Sequence, residues 1–460
     1  MSASQFLQQL YSLDPSSPDF LRVLFALIRN DEDEQYSSSL QGEELTRLVD
    51  FLDNALSSIP ISDDVFRRCL RKLRAICGSH TTLPSSHIIS GGLTKIGENA
   101  TAFGGFADVW QGDQGGKQVC IKVLRIAQND TGGLRKSFFK EAVVWKRLRH
   151  PNIVPFLGVT IKPLQFVSEW MPNGTLTHYV TGNPSVNRVA LLLDVAEGLN
   201  YLHASYTIHG DLKGPNILIK SDGHACLADF GLASIVQGND SIVPTHADAY
   251  TARWTAPEIL KGANKITREA DVFSFGMVVI EAFTGKHPLS ELNPPSVMMK
   301  IMKGERPVFP RGSEGLGFVT PIWHMTVHCW QHDPAHRPTM AAVVEFLREC
   351  YTTYTVDPSL STLSPWKPNV NAGDASLYRV ISPTLSDGTS PTLSTRTSQT
   401  FGSSFSPTQE PSAVTQSLTF NILFPGVARA SRTSLDESFS DESNVHSSPG
   451  NPSSDHPGFG

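Results

Sequence analysis

The chain of 460 residues is expected to form an α+β domain set between a helical N-terminal segment and a disordered C-terminal tail. Three observations point there. Val119-Cys120-Ile121-Lys122, bounded upstream by Gly115-Gly116, reads as a β-strand. Phe138, Glu141, Ala142, Trp145 and Leu148, and later Val189, Leu192, Val195, Leu199 and Leu202, recur at helical spacing. Two loops rich in polar residues follow: His209-Gly210-Asp211-Leu212-Lys213-Gly214-Pro215-Asn216, then Asp229-Phe230-Gly231.

The loops put a proton acceptor, a cation and two oxygen ligands on neighbouring stretches. That set suits the movement of a phosphoryl group, which needs little covalent help and much alignment and charge stabilisation. Asp211 is the candidate base, and Lys213 can reach the oxygen being transferred. Asn216 and Asp229 offer the oxygen ligands that a hard cation such as Mg2+ prefers. The helix from Val189 to His203 is amphipathic and delivers the first loop.

These two loops resemble the catalytic loop and the metal-binding loop of the eukaryotic protein kinases. Other parts of that family's pattern occur in the same order. Val119 to Lys122 is similar to the family's Val-Ala-Ile-Lys strand, with Cys120 in place of alanine and Lys122 as the cation for the inner phosphates. Glu141 stands on an apolar stripe, where a carboxylate is costly unless paired; the resemblance implies that it pairs with Lys122. The family's Gly-x-Gly-x-x-Gly-x-Val, aligned on Val109, puts Ala102, Gly104 and Ala107 at the glycine positions, so one of the three matches. Gly104-Gly105 still lets backbone amides approach phosphates closely. An alternative register takes Gly97 as the first glycine and treats the stretch around Ala100 as an insertion.

His150-Pro151-Asn152-Ile153-Val154 is similar to the turn after the glutamate helix in kinases, and Phe166 to Met171 to the hinge between their lobes. The resemblance implies that Ser168 guards the pocket behind adenine, that the backbones of Glu169 and Met171 bond its edge, and that Leu218 joins the nucleotide-binding set. Thr251 to Glu258 resembles the end of the activation segment, and Asp271 to Gly276 the helix that anchors the catalytic loop from beneath. Cys329-Trp330 and Arg337-Pro338-Thr339 are similar to the tyrosine-kinase-like group, where the arginine pairs with the glutamate at Glu258. Within that group the likeness is to fungal kinases with a His-Gly-Asp-Leu-Lys-Gly loop. The resemblance covers residues 94–350 and implies a bilobal fold, with a small lobe over 94–170 and a large lobe over 171–350. ATP and Mg2+ would lie between them.

Lys213, two residues after Asp211, is the family's mark of Ser/Thr kinases, and Thr251 supports the same side. Thr255 before Ala256 is seen in some tyrosine kinases. The alternative is a pseudokinase that binds nucleotide as a signalling scaffold, since a fold does not fix a function. Ala102 and Ala107 favour it, while the presence of Lys122, Asp211 and Asp229 opposes it. Gly210 stands where most kinases keep an arginine that pairs with a phosphorylated loop. Activity is therefore expected without phosphorylation of Ser234, Ser241, Thr245 or Tyr250.

A net charge of -6 gives no sign of nucleic-acid affinity. No stretch approaches the ~20 apolar residues that span a bilayer. The six cysteines show no paired spacing and suit a reducing compartment, so a cytoplasmic or nuclear location is expected. His324, His328, Cys329 and His332 could be drawn as a metal stripe, but the ligand set expected of zinc is incomplete. Residues 1–85 are expected to form a separate helical region, with stripes at Phe20 to Ile28, Glu43 to Ala55 and Asp63 to Cys77. It would serve in docking or autoinhibition. Arg67, Arg68, Arg71, Lys72 and Arg74 read as a solvated basic face. Residues 351–460 are rich in Ser, Thr and Pro, too polar to bury a core. Their repeated Ser-Pro-Thr-Leu-Ser, at Ser382 and Ser390, suits upstream proline-directed kinases as partners, and Leu418 to Val427 is an apolar island for docking.

Overall fold

Two helices come first in the computed structural model, which describes residues 40–59, 64–103, 107–125, 133–229, 251–263, 265–356, 363–364 and 366. They are α1 (Gly42–Ser58) and α2 (Asp64–His80), each with a buried apolar stripe. Phe20 to Ile28, the serine-proline repeats and the island at Leu418 lie outside the described residues.

A six-stranded antiparallel sheet follows. It is built from β1 (Leu93–Lys95), β2 (Ala102–Phe103), β3 (Ala107–Gln114), β4 (Lys117–Leu124), β5 (Phe156–Ile161) and β6 (Leu164–Glu169). The order is β1-β3-β4-β6-β5, with β2 also paired to β3. Alternation along β4 decides what the sheet presents. Val119 and Ile121 are buried with Val167 under one face, so Cys120 and Lys122 point to the other. On that second face packs α3 (Gly133–Trp145), inserted between β4 and β5. Phe138 meets Phe166 with ring centroids 4.4 Å apart, and Trp145 meets Phe166 at 5.9 Å.

The large lobe is mostly helical: α4 (Leu176–Gly182), α5 (Arg188–Ala204), α6 (Pro257–Leu260), α7 (Arg268–Thr284), α8 (Pro294–Met302), α9 (Thr320–Cys329) and α10 (Met340–Val356). A small hairpin of β7 (Ile217–Ile219) and β8 (Ala225–Leu227) lies between α5 and α6. Asn187 starts α5 by accepting the Ala190 N–H at 3.1 Å, and Thr267 caps α7 in the same way. No helix among the described residues is long and apolar enough to cross a membrane.

The N-terminal helices do not stand apart. One hydrophobic core joins Leu48, Leu52, Leu73, Ile76 and Leu83 to Phe138, Phe139 and Ala142 of α3. A buried polar junction fastens the same contact: Arg147, just past α3, donates to Asp53 O at 2.7 Å, to the Asp53 carboxylate and to Ser57 Oγ at 3.0 Å. Asp53 also accepts Ser86 Oγ at 2.7 Å.

The basic face of α2 is not solvated as a whole. Arg74 is 6% exposed, and Arg67 lies over the Tyr206 ring at 4.7 Å, where Arg268 also sits at 5.5 Å. Of the five basic residues only Arg68 is exposed. The reason is that α2 is covered on several sides, by α1, by α3 and by Tyr206, while periodicity reports a single apolar stripe.

Candidate active site

Asp271 on α7 sets the backbone of the loop that carries Asp211. Its carboxylate accepts the N–H of His209 at 2.9 Å and of Gly210 at 2.8 Å, and His203 Nε2 lies 2.9 Å away. Gly210 has φ +76, the left-handed region that glycine enters without a Cβ penalty. The loop next turns so that Asn216 Nδ2 donates to Asp211 O at 2.8 Å and to Asp211 Oδ2 at 3.0 Å. Lys213 Nζ lies 2.8 Å from the same Oδ2 and donates to Thr251 Oγ1 at 3.1 Å. Asp211 Oδ1, buried, has no hydrogen-bond partner in the protein. One oxygen of the aspartate is thus held, and the other is left to accept a proton.

The hairpin brings Asn216 and Asp229 side by side. Ile217 pairs with Leu227, and the Ala228 N–H donates to Asn216 O at 2.9 Å. Asp229 follows at φ +58, an unusual backbone for a residue with a side chain, and its carboxylate meets Lys122 Nζ at 2.6 Å. Among the described residues no group of three or more His, Cys, Asp or Glu side chains could hold a metal. Two protein oxygens fit Mg2+, which is usually held by one or two carboxylates together with substrate phosphates. On α9, the His328 ring serves the helix itself, its Nδ1 lying 2.7 Å from His324 O.

The expected pairing of Lys122 with Glu141 is absent, because Lys122 engages Asp229. That contact sets the charge of the two carboxylates apart. Burial pushes Glu141 up to about 7, against the pull of nearby Lys122, and its Oε1 is buried with no hydrogen bond. Burial acts on Asp229 in the same sense, but Lys122 outweighs it and holds Asp229 below the usual carboxylate range. Burial likewise favours the neutral amine of Lys122, and the charges of Asp229 and Glu141 overcome it and raise the group above the ordinary lysine value. The lysine is therefore firmly cationic, and its contact keeps Asp229 the more strongly charged of the two.

Cys120 faces Ser168 across the β4–β6 ladder, and both side chains are small. Burial pushes the Cys120 thiol up to about 11, so it packs as a neutral group. Glu169 donates its N–H to Pro155 O at 3.1 Å, so a bond from Glu169 to a ligand would use its carbonyl. Met171 is buried just beyond β6, and Leu218 lies on β7 opposite Cys226. Ala102 pairs with Val109 and Phe103 with Asp108 where β2 and β3 run antiparallel. Gly97, at φ +85, precedes β2 in the link from β1. Gly104, Gly105, Phe230, Gly231, Ser234, Ser241, Thr245 and Tyr250 lie outside the described residues.

The expected ion pair of Arg337 with Glu258 forms and is bidentate, at 2.7 and 2.8 Å. Sequence reasoning passed over Glu281, although it interrupts the apolar run Val278 to Phe283 much as Glu141 interrupts its own stripe. That interruption was the available signal.

A family model described as protein tyrosine and serine/threonine kinase matches residues 95–347. Among curated relatives, the serine/threonine-protein kinase STY46 of Arabidopsis thaliana is 32% identical over 255 residues, 54% of this chain and 43% of that protein. The serine/threonine-protein kinase CTR1 of the same plant is 29% identical over 339 residues, 71% of this chain and 39% of that protein. The tyrosine-protein kinase SRK3 of Spongilla lacustris is 32% identical over 260 residues, 54% of this chain and 74% of that protein. The chain thus spans less than half the length of the two plant relatives.

Proposed function

Because the chain belongs to the protein tyrosine and serine/threonine kinase family, we propose that it carries the γ-phosphate of ATP to serine or threonine hydroxyls of protein substrates. The observation that carries this reading is Asp211, with Oδ2 tied to Asn216 and Lys213 and Oδ1 buried without a partner. In the reaction the acceptor hydroxyl gives its proton to Asp211 Oδ1 while its oxygen bonds to phosphorus and the bond to the ADP oxygen breaks. Lys213 faces the oxygens of the moving group and offsets their charge. Lys122 is placed to bind the inner phosphates, and with Asp229 on a metal ion Glu141 would be its remaining counter-ion. Asn216 and Asp229 would hold Mg2+, which supplies charge neutralisation at the phosphates.

Serine or threonine as the acceptor is supported by the Lys213–Thr251 contact, which narrows the space beside Asp211. The names of the plant relatives support the same choice. A cytoplasmic or nuclear setting belongs to this reading and is supported by the free thiols of Cys69, Cys77, Cys120, Cys226, Cys329 and Cys350. Incubation with labelled ATP, Mg2+ and a basic protein substrate tests the proposal, with Asp211→Asn as control. Label is expected on serine and threonine, falling at least ~100-fold in the variant, as loss of a catalytic base does. Label mainly on tyrosine would overturn the acceptor assignment, and equal labelling by the variant would overturn the mechanism.

A further inference from the structure

Glu281 is a carboxylate on α7 that is 1% exposed. It accepts three hydrogen bonds from three separate pieces of chain. Oε2 takes the Gly214 N–H at 2.9 Å and Trp254 Nε1 at 3.0 Å, and Oε1 takes Thr177 Oγ1 at 2.6 Å. Gly214 adjoins Lys213. The Trp254 N–H donates to Thr251 O at 3.0 Å, which closes the turn that begins at Thr251. One buried group therefore fastens the backbone next to Lys213 and the segment that presents Thr251, the two residues whose side chains meet at 3.1 Å.

The identity of residue 214 follows from this clasp. A Cβ there would lie 2.3 Å from Glu281 Oε1 and 2.5 Å from Thr177 Oγ1. A proline would remove the N–H that Glu281 accepts. Glycine alone gives both the space and the donor.

We propose that Glu281 is a positioning residue for the protein-acceptor side of phosphoryl transfer, fixing the Lys213–Thr251 wall beside Asp211 while the nucleotide side rests on other supports. Those supports are Lys122 on β4 and Asp229 after β8, neither of which bonds Glu281, and Asn216, whose side chain bonds Asp211 and whose carbonyl accepts from Ala228. The inference rests on the transfer reading above.

The test is steady-state kinetics of the full chain with ATP and a protein acceptor varied in turn, for wild type, Glu281→Gln, Glu281→Met and Trp254→Phe. Gln can keep all three contacts, its carbonyl accepting from Gly214 and Trp254 and its amide donating to the Thr177 hydroxyl. It is expected to stay within about threefold of wild type. Glu281→Met takes the shared acceptor away from all three donors, and kcat/KM for the acceptor should fall about tenfold or more while KM for ATP moves less than about twofold. Trp254→Phe keeps the ring and removes one bond, so it reports a smaller loss in the same direction, about threefold, even where the Met variant fails to fold.

Loss shared equally between ATP and acceptor, a Gln variant as damaged as Met, or unchanged acceptor kinetics in Trp254→Phe would each overturn the role. Wild type that transfers no phosphate is a separate outcome: it removes the transfer reading and this inference with it.

Discussion

Replacing Asp53 by alanine measures whether the N-terminal helices are structurally part of the catalytic domain. Asp53 and Arg147 are 7% and 12% exposed at their side chains, so the pair is almost dry. His87 Nε2 is also near, 3.8 Å from Asp53 Oδ1, but burial pushes His87 down to about 4 and leaves it neutral at pH 7. Arg147 is then the cation that answers Asp53. Removing one member of a buried pair strands the other, at about 3–5 kcal/mol, whereas an exposed pair would cost below ~1 kcal/mol. For a domain of this size each kcal/mol lowers Tm by roughly 2–4 °C, so Asp53→Ala should melt about 6–20 °C lower. Urea unfolding of the full chain gives the free energy directly. Arg147→Met added to Asp53→Ala should recover part of the loss, because the stranded charge is gone. A cost under ~1 kcal/mol with no coupling between the two sites would show that α1 merely rests on α3, and the reasoning would be wrong.

Two further outcomes follow from the site. Glu141 is raised from 4.5 to about 7 by burial, so between those values the folded protein keeps a proton that the unfolded chain releases. Its contribution to stability must then fall as pH rises through that window, and Glu141→Gln should flatten the decline in urea midpoint between pH 5 and pH 8; an unchanged slope counts against it. Ser168 is buried opposite Cys120, so Ser168→Phe would fill the space between them. Adenine-site inhibitors with a bulky rear group should bind at least ~30-fold more weakly, with KM for ATP nearly unchanged, whereas equal inhibitor affinity in a binding titration would refute the pocket's depth.

What was legible in the sequence was what depends on short-range spacing. The loop from His209 to Asn216 closes on itself, so the neighbourhood of Asp211, Lys213 and Asn216 follows from local order alone. The α5 stripe and the β4 strand are similarly readable, since one period names the buried face. The partner of Lys122 was not, because it depends on which of two carboxylates the fold brings against the amine, and Glu141 and Asp229 lie far apart in sequence. Nor was the seat of α2: a helical stripe says that a face is covered but not by what, and Arg74 looks identical on paper whether it meets water or a neighbouring helix. Glu281 was missed for the same reason. Its donors, Thr177, Gly214 and Trp254, are scattered along the chain, and only folding collects them.

The stacking of Arg67 on Tyr206 has a mechanical consequence. A helix rooted in the core of the upper half leans on a ring belonging to the lower half, so that edge of the cleft is tethered. Widening the mouth there means peeling a guanidinium from an aromatic face, a toll of about 0.5–1 kcal/mol at a partly wet position. Breathing of the two halves should therefore be felt first at Tyr206, which acts there like the jamb of a door.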